Sequence, residues 1–181
     1  MALPLKITAL AACLLLGACS SAPISFHTLT PAQPMAGRGG SEIAIEAISV
    51  PPQVDRPQIV IREGNSGLAI LETEWWGASL VDELRSALAD QLGNAGGQRK
   101  VSVRIDVQRF DSVPGQYGLI DVKWRLREAG AAENACRSTL QTPSGPSIDE
   151  LVAAQQNNVK RLAALISQAA ASNSRNCPAA H

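Results

Sequence analysis

The sequence predicts one mixed α/β domain: a β-sheet with helices packed on it and a long helix at the C-terminal end. Three observations carry this expectation. Several segments alternate apolar and polar residues with a period of two, most strictly Arg99 to Phe110, "RKVSVRIDVQRF". Two others, Ala78 to Leu92 and Ile148 onward, return apolar residues every three or four positions, the mark of helices with one buried face. Hydrophobic residues make up 45% of the chain but aromatic ones only 3%, so the core is built mainly from Val, Ile, Leu and Ala. A chain of 181 residues suits a single core.

At the start of the chain, Ile7 to Leu16 is apolar, follows Lys6, and is too short to span a bilayer, so residues 1–18 read as an export signal. The stretch Leu16-Gly17-Ala18-Cys19 resembles the lipobox of bacterial lipoproteins. In those proteins the cysteine thiol receives diacylglycerol, the chain is cut just before it, and the freed amine is usually acylated. Cys19 is then residue one of the mature protein and the lipidation site. The plain reading is a small apolar residue ending a signal helix, as Cys13 is within it. Two or three acyl chains make a stable anchor, since each buried methylene contributes about 0.8 kcal/mol. Ser20 stands where an aspartate would favour inner-membrane retention, so the expected address is the periplasmic face of the outer membrane.

Residues 19–40 hold the anchor, a short strand within Ala22–Thr30 and a Pro/Gly-rich flexible segment. Residues 41–172 form the domain and 173–181 a tail. Within the domain, Glu42 to Val50 reads as a largely buried strand with Ile43, Ile45 and Ala47 on one face and Ile48 and Val50 starting the other. "RPQIVIRE" and "LAILE" flank Gly64-Asn65-Ser66-Gly67 and predict a hairpin. In Ala78–Leu92 the leucines Leu80, Leu84, Leu88 and Leu92 line a helix, with Ser79 and Asp82 at its cap. After the Arg99–Phe110 strand, "DSVPGQYG" predicts a turn, Leu119 to Leu126 a second strand, and Ala135 to Gln141 a third, completing a meander. Ser147 and Glu150 form a capping-box pattern ahead of Ile148, Leu151, Val152, Val159, Leu162 and Ile166; the other side of this helix is rich in Gln and Asn and reads as exposed.

Sixteen basic and sixteen acidic residues leave no basic excess for a nucleic-acid surface. Cys136 and Cys177 survive processing into an oxidising compartment. A strand after Cys136 covers roughly 20 Å and a helix from Ile148 climbs back roughly 37 Å, so a bridge is geometrically feasible, with two free thiols as the alternative.

No constellation for catalysis stands out. "GNAGGQRK", Gly93 to Lys100, has the glycines and lysine of a phosphate loop but follows a helix and precedes a strand, the reverse of what anion binding at a helix N-terminus needs. His27 lies beside the flexible start and His181 ends the chain, so neither is expected to be held by the scaffold. Asp82 and Glu83 read as the solvated side of their helix, and no cysteine pair has metal-ligand spacing. The expectation is no enzyme, no metal, and no cofactor beyond covalent lipid on Cys19. Trp75-Trp76 is less ordinary, because adjacent residues rarely both point inward. One indole plugs the core; the other either covers its edge or meets a partner or lipid.

The lipobox, "ISVPPQVDRPQIVIRE" from Ile48 to Glu63 and Trp76-x-x-x-Leu80 together resemble the PqiC/YmbA-type lipoproteins, the ABC-type transport auxiliary lipoprotein family. The likeness spans most of the mature chain; one departure is Trp75, where related sequences often carry arginine. It implies a mixed-sheet fold like the anticodon-binding or TolB N-terminal domains, and no catalytic activity. It further implies service to an MCE-type lipid-transport system, as a docking subunit for an MCE-domain periplasmic protein and its transporter components. Arg56, Pro57, Gln58, Trp75 and Trp76 are the candidate contacts; alternatively Ile59 and Val60 fill the core and Arg56 pairs with a neighbouring acid. A lipid-binding carrier and an envelope assembly lipoprotein are the rival functions, and homo-oligomer formation stays open.

Overall fold

The structure, a computed structural model, describes residues 22–32, 41–92, 99–172 and 176–179. The lipobox with Cys19, the Pro/Gly-rich segment, most of the Gly93–Lys100 loop and parts of the tail lie outside these residues. The elements run β1 (Ser25–His27), β2 (Ser41–Ser49), β3 (Gln58–Glu63), β4 (Gly67–Trp76), α1 (Leu80–Leu92), β5 (Arg99–Val113), β6 (Tyr117–Glu128), β7 (Asn134–Pro143) and α2 (Ile148–Ala171). The architecture is a mixed α/β domain ending in a long helix.

The strands form two sheets, in the orders β1-β4-β3 and β2-β5-β6-β7, rather than the single sheet expected. Both are mixed. β1 runs parallel to β4, and β2 parallel to β5, while β3–β4, β5–β6 and β6–β7 are antiparallel. The helices α1 and α2 pack on each other and on the larger sheet. Between them lie Val101, Val103, Ile105, Val107, Ile120, Val122, Trp124, Leu126 and Leu140 from the strands, and Leu84, Leu88, Leu162 and Ile166 from the helices. Burying one such aliphatic side chain fully contributes about 1.5–3 kcal/mol before the entropy of ordering it is counted.

Bulges correct two expectations. In β2 the register against β5 shifts between Ile45 and Ala47, which turns Ile48 to the buried side after Ile43 and Ile45 instead of the opposite one. In β5 the register against β6 shifts between Val107 and Arg109. Simple alternation from Val107 would turn Arg109 inward; the extra residue turns Phe110 inward instead, where its ring meets Trp76 at 6.4 Å, edge to face. The β5–β6 hairpin is also longer than expected, its strands reaching Val113 and resuming at Tyr117, so most of "DSVPGQYG" is strand. β4 likewise extends through both tryptophans. At the β3–β4 turn Gly64 has φ +58, a conformation that suits a residue without Cβ.

The long helix α2 starts as its sequence requires. The Glu150 N–H donates to Ser147 Oγ at 3.2 Å, and the Ser147 N–H donates back to Glu150 Oε2 at 3.1 Å. Its Gln and Asn residues do not all face water. Gln155 is 1% exposed and Asn158 0%. Gln155 Nε2 donates to the Asp111 carbonyl and to Ser112 Oγ. Asn158 Nδ2 donates to the Gly118 carbonyl and to Gln155 Oε1, while Asn158 Oδ1 accepts from Thr142. Satisfied in this way, the two amides tie the helix to the tip of the hairpin. Gly118 makes the approach feasible, because a Cβ there would stand 2.9 Å from Gln155 Cδ. Beyond the helix, Cys136 on β7 is bonded to Cys177, fixing residues 176–179 against the sheet edge. No helix among the described residues is long and apolar enough to cross a membrane.

Candidate functional site

The sequence-predicted contact residues converge where β1, β3 and β4 meet. Gln58, the first residue of β3, pairs with Trp75, and the Trp76 N–H donates to the Pro57 carbonyl at 2.6 Å. On the other side of β4, Phe26 and His27 of β1 pair with Trp75 and Trp76. Arg56 to Gln58 and the two tryptophans thus share one corner of the smaller sheet.

The tryptophans divide their roles. Trp76 is 4% exposed and belongs to the core. Trp75 is partly exposed, lies edge to face with Phe26 at 6.4 Å, and donates its indole N–H to the Glu72 carbonyl. Ile59 and Val60 are buried, as the core-filling alternative has it. Arg56 does not pair with a neighbouring acid. Among the described residues its guanidinium has no ion-pair or hydrogen-bond partner, and its Nε is shielded from solvent. An unmatched cation held at a surface is a ready contact for an anionic group, since a charge-assisted hydrogen bond is about twice as strong as a neutral one.

One acidic residue and one histidine behave differently from the expectation drawn from helical period and chain position. Glu83 is buried, not solvated: its Oε2 accepts from Thr28 Oγ1 and from the Leu29 N–H, each at 2.8 Å. His27 is held by the scaffold rather than left loose. Its Nε2 lies 2.6 Å from Glu74 Oε2, its Nδ1 lies 3.5 Å from Asp149 Oδ1, and its carbonyl accepts from Gly77. Together with Leu29, which is 0% exposed, these contacts lash the segment from Ser25 to Thr30 to the body of the domain. That segment joins the domain to the N-terminal stretch containing Cys19. The segment leading to that stretch is therefore part of the fold.

The outer face of the larger sheet is a lattice of matched charges. Arg104 pairs with Glu46, Arg127 with Glu133, and Arg137 with Asp121 at 2.6 Å. The Arg137 guanidinium holds the Asp121 carboxyl below its ordinary range against the opposing effect of burial, with Thr139 adding a second donor. Arg104 does the same for Glu46. Asp111, 6% exposed, takes Arg62 from the smaller sheet and Arg109 from its own strand, joining the sheets electrostatically.

An open depression of about 600 Å³ lies at the end of β2, β5 and β6, floored by Ala44, Val101, Ala129 and Ala131 and rimmed by Glu42, Lys100, Arg127 and Glu133. No group of His, Cys, Asp and Glu residues able to hold a metal ion occurs among the described residues.

Two solved structures share the fold. One, described as the crystal structure of an uncharacterized protein, superimposes with a TM-score of 0.65 at 17% identity, covering 81% of this chain and 98% of that one. The other, protein XCC0632 from Xanthomonas campestris, of the DUF330 family, gives 0.59 at 18% identity over 82% of this chain and 93% of that one. No curated protein matches. The model of the family described as "ABC-type transport auxiliary lipoprotein component" matches residues 26–167, well over half the chain and including most of the segment from Ser25 to Thr30, the Arg56 corner, α1 and most of α2, and the protein belongs to that family.

Proposed function

We propose that the protein is a non-catalytic outer-membrane lipoprotein, acylated on Cys19, that docks an MCE-domain protein and its transporter components at the outer end of an intermembrane lipid-transport system. Membership of an auxiliary family for ABC-type transport supports the general role. The observation that carries the docking reading is Arg56, whose guanidinium lacks an anionic partner at the corner it shares with Gln58. A partner carboxylate fits it. The strap from Ser25 to Thr30 supports the anchoring reading, because a pull on the N-terminal lipid is transmitted to Glu83, Glu74 and Asp149 rather than to a loose tail.

A photo-crosslinking residue at Gln58 in cells expressing the whole system tests docking. The expected product is an adduct with an MCE-domain protein that is lost in Arg56→Ala while the amount of lipoprotein in the membrane is unchanged. An adduct pattern without any MCE-domain protein overturns the reading. The carrier alternative rests on the open depression at Ala44 and Val101. Stoichiometric phospholipid held non-covalently in native mass spectra would favour it.

A further inference from the structure

The smaller sheet carries an apolar surface unlike the charged lattice of the larger one. Phe26 is 66% exposed, Ile24 and Leu68 each 47%, and Ile70 42%. Strand pairing places them together. Leu68 and Ile70 are two apart on β4 and share a face. Trp75 pairs with Gln58 and Ile70 with Val60; Gln58 and Val60 are two apart on β3, so Trp75 joins Ile70 on that face across the register shift. Phe26 pairs with Trp75 from the other side, and Ile24 precedes it by two. At the β3 edge, Pro51, Val54 and the end of β5 close over Val60 and Arg62. Leu68 borders this covered part, and the rest of the face on β4 and β1 is bare.

A contiguous bare apolar patch on an otherwise charged surface marks an interface. Its place in the chain identifies the occupant. Ile24 follows Cys19 by five residues, and five residues span at most about 18 Å when fully extended. If acyl chains hold Cys19 in a bilayer, the patch never leaves the neighbourhood of that bilayer. Composition agrees: tryptophan and phenylalanine favour the headgroup layer, and the Trp75 N–H already has its acceptor within the protein. Arg62, cross-strand from Leu68, is engaged by Asp111, and Glu72 is exposed beside the patch. The attraction is apolar, not coulombic.

We propose that the face formed by Ile24, Phe26, Leu68, Ile70 and Trp75 lies against the interfacial layer of the lipid bilayer in which the Cys19 acyl chains are embedded. The inference rests on acylation of Cys19 as proposed above. It gives the domain a fixed orientation relative to the bilayer. Trp75 then serves the membrane with Gln58 beside it at the rim, and protein docking falls to Arg56.

The test uses the mature acylated protein reconstituted into phosphatidylethanolamine–phosphatidylcholine vesicles with brominated acyl chains. Trp76 and Trp124 are 4% and 1% exposed, so quenchable emission belongs to Trp75. Bromolipids with shallow bromines should quench a component of emission that is absent in Trp75→Phe, equally at low and high salt. The exposed double variant Phe26→Ser/Ile70→Ser should lose roughly half of that quenching or more while keeping its thermal transition. Intact mass measured on the same sample separates the two ideas. An acylated, vesicle-bound protein whose Trp75 is unquenched overturns the inference and leaves the anchor standing. Shielding of Trp75 that rises with the protein-to-lipid ratio points to a second copy on this face and overturns it too. A protein with no acyl mass refutes the anchor, and the inference with it.

Discussion

Glu83→Ala should loosen the N-terminal strap without unfolding the domain. In the native protein the Glu83 carboxylate accepts from Thr28 Oγ1 and from the Leu29 N–H, each at 2.8 Å, and Leu29 is 0% exposed. Hydrogen bonds to a charged group contribute about 1.5–3 kcal/mol each, and the variant also leaves the buried Leu29 N–H without an acceptor. Water reaches the exposed Thr28 and recovers part of its share, so the loss at the strap is about 3 kcal/mol. At about 1.4 kcal/mol per factor of ten, that raises the population of the detached strap roughly 100-fold. Glu83→Gln keeps an acceptor oxygen for Leu29 and should cost about 1 kcal/mol, roughly fivefold. Amide hydrogen exchange at Leu29 reads the change directly, with the β5–β6 core amides as internal controls. Equal acceleration of strap and core would mean Glu83 supports the whole domain. An unchanged Leu29 rate in Glu83→Ala would refute the clamp.

The Cys136–Cys177 bridge closes a loop at a sequence separation of 41, for which chain entropy predicts about 4 kcal/mol of stabilisation; the double serine variant should show that loss in urea titration, and an undiminished midpoint would contradict it. Asn158→Leu keeps the branching but orphans the Gly118 carbonyl and Gln155 Oε1, so it should cost about 2–4 kcal/mol, whereas a neutral or stabilising result would show that the network adds no stability over an apolar core. Asp121 has its pKa depressed by Arg137 in the folded state, so its contribution is present above the ordinary carboxylate range and disappears as the pH falls through the lowered value. Arg137→Met should raise that pKa and move the acid-unfolding midpoint to higher pH; an unmoved midpoint would mean the pair is screened to insignificance.

What the sequence made legible was whatever repeats locally. The alternation of Val101, Val103, Ile105 and Val107 and the spacing of Leu80, Leu84 and Leu88 match the structure because a strand and a helix each impose one period on their neighbours. The division into two sheets was not legible, since it depends on β1 finding β4 and β2 finding β5 across long stretches of chain. Bulges were invisible for a related reason: one inserted residue reverses the facing of everything after it, as at Arg109 and Phe110, and no residue type marks the position.

Glu83 was set on the solvated side by a misplaced helical period, and Gln155 and Asn158 were set there by their polarity. Glu83 lies three residues after Leu80 and four before Ala87, and Gln155 and Asn158 continue the stripe from Leu151 to Leu162. Helical spacing placed all three on the buried faces. Their polarity favours water, and the partners that outweigh it, Leu29, Ser112 and Gly118, come from distant segments. The Arg56 corner was legible only as a motif. That Arg56 lacks an acid depends on which carboxylates the fold brings near it, and no local pattern carries that information.

As proposed above, a covalent lipid on Cys19 fixes this domain to a membrane through a strap built into the fold. Intact mass spectrometry of the protein extracted from envelopes tests it most directly. The expected species is a chain that begins at Cys19 and carries the mass of diacylglycerol and an additional acyl group, recovered from the membrane fraction. A chain that begins at another residue, or an unmodified Cys19 recovered from the aqueous fraction, would contradict it.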